Sequence, residues 1–141
     1  MEIRRAQITD APTIAALLTE LGYPAGAPEV EDRLGRLDGS DCVLITVGGL
    51  IALHRVPRLA EGSPFARITA LVVAADRRGQ GIARALLDAA EDVARGWDCR
   101  LIEVSSARQP ERDAAHSFYA AADFEDTGER SVRYWKSLGN V

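Results

Sequence analysis

The chain has 141 residues, which is enough for one domain with its own hydrophobic core. A formal charge of −4 at pH 7 argues against a nucleic-acid-binding protein, which is normally basic. No apolar run approaches the roughly 18 residues of a membrane span, and the first residues carry no signal core, so a cytoplasmic protein is expected. Cys42 and Cys99 lack metal-ligand spacing, and they are expected to be free thiols in a reducing compartment.

The first half of the chain predicts a strand, two helices and a hairpin. Ile14, Leu17, Leu18 and Leu21 follow helical spacing, which predicts a helix that ends at Gly22. The predicted elements are a short strand at 2–6, this helix, a shorter helix at 29–37, and strands at 42–47 and 50–56. Gly48-Gly49 between these two strands is typical of a two-residue hairpin turn, so they should be antiparallel.

The second half predicts a strand–helix–strand unit, a late helix and a closing hairpin. The elements are a strand at 67–73, a helix at 81–96, a strand at 100–106, a helix at 111–122, and strands at 124–127 and 130–136. A helical crossover between strands makes a parallel pair, whereas hairpins make antiparallel ones. The prediction is a single mixed α/β domain over residues 1–141. Its sheet would have six to seven mostly antiparallel strands, with about four helices.

A glycine turn joins the strand at 67–73 to the following helix. It reads Arg78-Gly79-Gln80-Gly81-Ile82-Ala83, and such a turn presents free backbone N–H groups to an anion, usually a phosphate. A P-loop would need Gly-Lys-Ser/Thr at its end. A dinucleotide fingerprint would need a third glycine, where Arg84 stands. Neither of these two readings fits the turn.

Two motifs resemble those of the GNAT superfamily of N-acyltransferases. Residues 78–83 match Arg/Gln-x-x-Gly-x-Gly/Ala, which is similar to the family's acetyl-CoA pyrophosphate loop. Residues 114–124 resemble the family's late helix, A-x-x-F-Y-x-x-x-G-F, with Asp123 in place of the usual glycine. Aspartate tolerates a left-handed turn better than most residues, so this turn should form. The predicted order of elements is similar to the family's as well.

The resemblance implies acetyl-CoA as the co-substrate and no metal. The pyrophosphate would be held by N–H groups of the turn, and the pantetheine arm by the backbone of the preceding strand. The cofactor-binding residues implied are Leu71, Val72, Val73, Arg78, Gly79, Gln80, Gly81, Ile82, Ala83, Arg84 and Arg112. Arg112 stands where the family often has an asparagine.

The resemblance also implies two catalytic residues. Tyr119 would protonate the departing thiolate, although it could instead only pack beside Phe118. The family often has a glutamate on the fourth strand, and 67–73 contains none. Glu103 lies in Leu101-Ile-Glu-Val, similar to the version found in protein N-terminal acetyltransferases, and it is the predicted base. Glu103 could instead pair with a nearby arginine, which would leave His54 or water as the base.

The function implied is transfer of an acetyl group from acetyl-CoA to a primary amine by direct attack in a ternary complex. The acceptor could be a small molecule or a peptide or protein amine. The alternative is a non-catalytic acyl-CoA-binding module with a regulatory or scaffold role. Nucleic acid and membrane are not expected partners, whereas a homodimer is expected from the resemblance.

Overall fold

The computed structural model describes residues 1–105, 113–128, 130–131 and 133–139. The chain divides into two compact units, Met1–Ser105 and Ser106–Val141. The elements of the first unit are β1 (Arg4–Arg5), α1 (Ala11–Leu21), α2 (Ala27–Gly35), β2 (Asp41–Thr46), β3 (Gly49–Val56), β4 (Phe65–Val73), α3 (Ile82–Gly96) and β5 (Ile102–Val104). The described residues of the second unit contain one helix, α4 (Asp113–Ala121).

The five strands form one sheet in the order β1-β2-β3-β4-β5. The pairs from β1 to β4 are antiparallel, and β4 and β5 are parallel. This parallel pair follows from the α3 crossover, as predicted, since a hairpin cannot join parallel strands. No helix of the described residues is long and apolar enough to cross a membrane.

Helices cover both faces of the sheet. Leu50 and Val72 pack in one core cluster with Ile14 and Leu17 of α1 and with Val30 of α2. The neighbouring residue Gly49 points to the opposite face, because successive strand residues alternate, and its backbone lies against α3. The positions that bury α1 were readable from the sequence, because its apolar residues follow helical spacing.

The described residues contain five strands, so the prediction of six to seven is wrong for this part of the chain. No strand is found at the described positions of 124–127 and 130–136, where a closing hairpin was predicted; Glu129 and Val132 lie outside the described residues. The carboxylate of Asp126 accepts from the Gly128 N–H at 2.8 Å, which forms a local turn. An alternation of apolar and polar residues predicts a strand, but the strand forms only where a neighbouring strand pairs with it.

Several element bounds also differ from the prediction. The hairpin turn is Val47-Gly48, and Gly49 already belongs to β3, where it pairs with Thr46. β1 and β5 are shorter than predicted, because their pairing with a neighbour covers only two and three residues. α1 ends as predicted before Gly22, whose φ of 105° is the left-handed conformation that glycine tolerates best.

Candidate functional site

The glycine turn between β4 and α3 has the conformation expected of an anion-binding loop. A 3-10 turn at Ala75–Arg77 leaves the strand, and Gly79 and Gly81 follow with φ values of 79° and 80°. An added Cβ at either glycine would meet no atom within 4 Å. Both positions therefore favour glycine because of backbone conformation and not because of crowding. They turn the chain so that α3 begins at Ile82.

The first N–H groups of α3 are available to a ligand. The Ala85 N–H is the first that donates within the helix, to the Gly81 carbonyl at 3.1 Å. Among the described residues, no acceptor bonds the N–H groups of residues 79–84. They lie at the positive end of a 15-residue helix, which favours an anion. These are the groups that the sequence predicted for the pyrophosphate.

Three contacts hold this loop against the rest of the first unit. The Ala74 N–H donates to the Gly48 carbonyl at 2.7 Å, which ties the strand end to the β2–β3 turn. The Ala75 N–H donates to the Glu20 carboxylate of α1 at 3.0 Å. The Arg78 guanidinium donates to the Val73 carbonyl at 3.4 Å. The loop is therefore fixed from α1, the hairpin turn and its own strand.

The parallel pair β4–β5 opens beside this loop. Pairing covers Ala66, Arg67 and Ile68 of β4, opposite Ile102, Glu103 and Val104 of β5. β4 continues to Val73, and on its β5 side residues 69–73 have no strand neighbour among the described residues. Its backbone edge therefore has no strand partner among the described residues along Leu71–Val73, the segment predicted to bind the pantetheine arm. The opening leads directly into the glycine turn.

A bulge in β4 lies where this opening begins. Leu53 of β3 pairs with Ile68 and Ala52 pairs with Ala70, so Thr69 is the extra residue. One extra residue shifts the alternation of side chains, so beyond the bulge each position of β4 faces the side of the sheet opposite to the one expected for a regular strand. As a result Arg67, on one side of the bulge, shares a face with Ala70 and Val72 on the other. The sequence showed no sign of this bulge.

Four polar residues form a row across the sheet on the face that α1 and α2 cover. Asp41 of β2 pairs with His54 of β3, His54 pairs with Arg67 of β4, and Arg67 pairs with Glu103 of β5. The His54 Nδ1 lies 2.9 Å from the Asp41 Oδ1, and the Arg67 Nε donates to the Glu103 Oε1 at 2.7 Å. We call these residues the cross-strand row. It lies at the closed end of the β4–β5 opening.

Two predicted residues, Glu103 and His54, belong to the cross-strand row. Glu103 is held by Arg67, which is the alternative that the sequence left open, and its side chain remains 39% exposed. His54 pairs with Asp41, on the strand beyond Arg67. Asp41 and Arg67 were not predicted as site residues, because only the strand register brings them into the row.

Tyr119 lies in the second unit, within a small aromatic cluster. Its ring makes edge contacts with Phe118 and Phe124, each with centroids 5.4 Å apart. The Phe124 N–H donates to the Tyr119 carbonyl at 3.0 Å, and Asp123 has a φ of 69°, the left-handed turn expected at that position. The catalytic role of Tyr119 stays a prediction. Arg112 lies outside the described residues.

The described residues contain no group of three or more His, Cys, Asp or Glu side chains that could hold a metal ion. Cys42 and Cys99 are free thiols, both buried. Burial raises the pKa of the Cys42 thiol, which keeps it protonated and unreactive.

Residues 19–124 match the acetyltransferase (GNAT) family. The chain is 31% identical to the aminoalkylphosphonate N-acetyltransferase of Salmonella typhimurium, over 97% of this chain and 91% of that protein. The ribosomal-protein-alanine N-acetyltransferase of Brucella melitensis is similar in structure, with a TM-score of 0.78 and 21% identity over 98% of this chain and 99% of that one. The aminoglycoside 6'-N-acetyltransferase of Acinetobacter haemolyticus has a TM-score of 0.79 and 18% identity over 99% and 100%.

The two structural neighbours are less than 25% identical and support the fold alone. The family match covers most of the chain, and the Salmonella relative adds an enzyme of similar length. The prediction of an acyltransferase is therefore confirmed over that of a non-catalytic module. The chain belongs to the acetyltransferase (GNAT) family, and it is an N-acetyltransferase.

Proposed function

We propose that the chain acetylates the primary amine of a small zwitterionic acceptor with acetyl-CoA in a ternary complex. One observation carries the proposal: the Arg67–Glu103 pair lies at the closed end of the β4–β5 opening, whose other end meets the glycine turn. A cation and an anion held side by side can bind an acidic group and an ammonium group of one ligand. The whole chain, residues 1–141, would act as one acetyltransferase domain.

The cofactor half of the proposal depends on the backbone. The free N–H groups of residues 79–84 suit a pyrophosphate, since they combine hydrogen-bond donors with a helix N-terminus. The edge of Leu71–Val73, which is not paired with β5, suits the amide groups of the pantetheine arm. A cofactor bound in this way would bring its thioester near the bulge, within the opening. An N–H group of the same edge would polarise the thioester carbonyl as an oxyanion hole does.

The chemical step needs three proton transfers. The acceptor ammonium loses a proton, its nitrogen attacks the thioester carbon, the C–S bond breaks, the new amide nitrogen loses a second proton, and the thiolate of CoA takes up a proton. Glu103 would receive the first proton, directly or through water, since it is exposed in the opening. Tyr119 would supply the proton that the thiolate takes up, as the family's late-helix motif implies, and the proton lost by the amide nitrogen would restore the phenol through water. Both roles are predictions that the variants below test.

Arg67 supports the acceptor class. Its guanidinium lies over the Phe65 ring at 5.3 Å, keeps hydrogen-bond donors besides the Nε that contacts Glu103, and belongs to a side chain that is 46% exposed. A phosphonate or carboxylate in the opening could bind those donors bidentately. The Salmonella relative is an aminoalkylphosphonate N-acetyltransferase, which agrees with an acceptor that carries both charges. The two free thiols further support a reducing, cytoplasmic location, whereas a homodimer stays a prediction.

A matched acceptor series tests the proposal. Free CoA thiol is measured with 3-aminopropylphosphonate, propylamine, 1,3-diaminopropane, kanamycin and a short peptide. We expect acceptor-dependent thiol release, with kcat/KM at least about tenfold higher for the phosphonate than for propylamine, since one charged hydrogen-bonded contact is worth about 1.5–3 kcal/mol. Arg67→Gln should remove that preference, whereas Arg33→Gln on exposed α2 should keep it. A faster reaction with the diamine, kanamycin or the peptide would contradict the acceptor class.

A further inference from the structure

A second positively charged region lies at the opposite end of the first unit. A cavity of about 590 Å³ is lined by Arg55 at the end of β3, by Ser63 in the β3–β4 loop, and by Arg95, Cys99 and Arg100 around the end of α3. Arg95 is 13 positions after Ile82, the first residue of α3. At 1.5 Å per residue, the cavity is therefore about 20 Å along the helix from the glycine turn.

The three arginines of this cavity differ from one another in their partners. Arg95 bonds to Asp92 at 3.1 Å and to Glu91 at 3.5 Å on its own helix. Within the described part of the chain, neither Arg55 nor Arg100 has a carboxylate within ion-pair distance. Arg55 is also half-buried, so its guanidinium has lost part of its hydration without gaining a counter-ion. An anion from solvent would supply that counter-ion.

Hydrogen bonds hold two arginines at this end of the first unit. The Arg55 Nε donates to the Trp97 carbonyl at 3.3 Å, which orients the guanidinium while leaving its terminal nitrogens uncommitted. Arg58 donates to the Ser63 carbonyl at 2.9 Å and lies over the Phe65 ring at 5.4 Å. The β3–β4 loop is thereby tied to the sheet. A site with fixed donors binds without the cost of ordering them.

Two of the three arginines that line the cavity, Arg55 and Arg100, have no ion pair within the described part of the chain, whereas Asp92 and Glu91 compensate Arg95. Asp98 is the single acidic residue among the lining residues. Burial raises the pKa of the Cys99 thiol, and the nearby charge of Arg55 lowers it. The donors of the cavity come from three separate elements of the fold. That arrangement suits tetrahedral phosphate oxygens better than the two oxygens of a planar carboxylate.

We propose that this cavity binds a small phosphate-bearing anion, at a site separate from the glycine turn. The ligand's oxygens would accept from Arg55, Arg100 and the Ser63 hydroxyl. The proposal does not depend on the acceptor class or on the catalytic residues. It requires only that a solute compensate the unpaired guanidiniums.

Trp97 provides a local reporter, because its carbonyl is bonded to Arg55 and its ring packs beside Cys99. In a Trp135→Phe background, inorganic pyrophosphate is titrated at constant ionic strength while Trp97 fluorescence is recorded. We expect a saturable change with and without CoA, and an affinity at least about tenfold weaker in Arg55→Gln and in Arg100→Gln. Arg100 is exposed, so its variant tests the site even if Arg55→Gln destabilises the fold.

Arg36→Gln is the matched control, because it removes one arginine immediately after α2, on another part of the surface. It should leave the pyrophosphate affinity unchanged. Four results would overturn the proposal: no saturable change, equal affinities in all variants, loss of the Trp97 response when CoA is present, or citrate binding as tightly as pyrophosphate. The third would mean that the anion binds at the glycine turn, and the fourth that the site is not a phosphate site.

Discussion

Gly49 sets how closely α3 approaches the sheet, and Gly49→Ala should disturb the glycine turn from a distance. A Cβ at Gly49 would lie 2.9 Å from the Ile82 Cγ2, 3.0 Å from the Leu86 Cδ1 and 3.2 Å from the Val72 carbonyl. Ordinary carbon–carbon contacts are about 3.5–4.0 Å, so Ile82 would have to move by about 0.6 Å. Ile82 is the first residue of α3, and the N–H groups proposed to bind the pyrophosphate lie immediately around it.

The expected effect has a thermodynamic part and a binding part. Overpacking a closed core costs about 1–3 kcal/mol. At roughly 3 °C per kcal/mol for a chain of this size, the Tm should fall by about 3–9 °C. Displacement of the α3 N-terminus should also raise the Kd for acetyl-CoA about tenfold, because donors that are misplaced by a fraction of an ångström lose much of their hydrogen bonding.

Circular dichroism melting measures the change in Tm. Calorimetric titration with acetyl-CoA, at a temperature well below the melting of the variant, measures the change in Kd. Gly35→Ala is the matched control, since the same methyl group at the end of α2 meets no atom within 4 Å. It should leave acetyl-CoA binding unchanged and should not lower the Tm, because alanine favours the helix. A Gly49→Ala protein with wild-type Tm and wild-type affinity would refute the packing argument.

Two further predictions concern the proposed acid and the stability of the first unit. Tyr119→Phe should lower kcat by about 10²-fold or more, with little change in the Kd for acetyl-CoA. Tyr23→Phe, at an exposed tyrosine, is the control and should change neither kcat nor Kd. An unchanged kcat in Tyr119→Phe would remove Tyr119 from the mechanism. The hydrogen bonds from the Arg4 guanidinium, followed by that from the Gln7 N–H, lower the pKa of Asp10 to about 2. A carboxylate with a depressed folded pKa stabilises the fold above its unfolded pKa, roughly 4, and this contribution is lost as the pH falls towards 2. Asp10→Asn should therefore lower the Tm at neutral pH, with the gap to wild type closing in acid; a gap that is independent of pH would contradict this cause.

The glycine turn could be predicted from the sequence because its determinants are local. Positive φ at Gly79 and Gly81 requires residues that tolerate it, and the apolar spacing of the following helix fixes where α3 begins. The end of α1 at Gly22 and the turn at Asp123 follow from the same kind of local rule. Each of these features depends on a few consecutive residues, so it can be predicted from the sequence.

The rest of the site depends on contacts between distant residues. Glu103 could be recognised in its strand, but its partner Arg67 is set by the register of a parallel pair 36 positions apart in the chain. The bulge at Thr69 decides which face Arg67 occupies, and no local residue pattern marks it. The cavity with Arg55 and Arg100 likewise requires the end of β3 and the end of α3 to meet.

Binding of acetyl-CoA at the glycine turn is the central claim, and backbone amide NMR tests it most directly. Acetyl-CoA is titrated into the ¹⁵N-labelled full chain, and the amide shifts are followed residue by residue. We predict saturable changes that are largest at Gly79–Arg84, with smaller ones along Leu71–Val73 and none of comparable size on α2. Saturable binding whose largest shifts lie elsewhere, or no binding at millimolar acetyl-CoA, would contradict the claim.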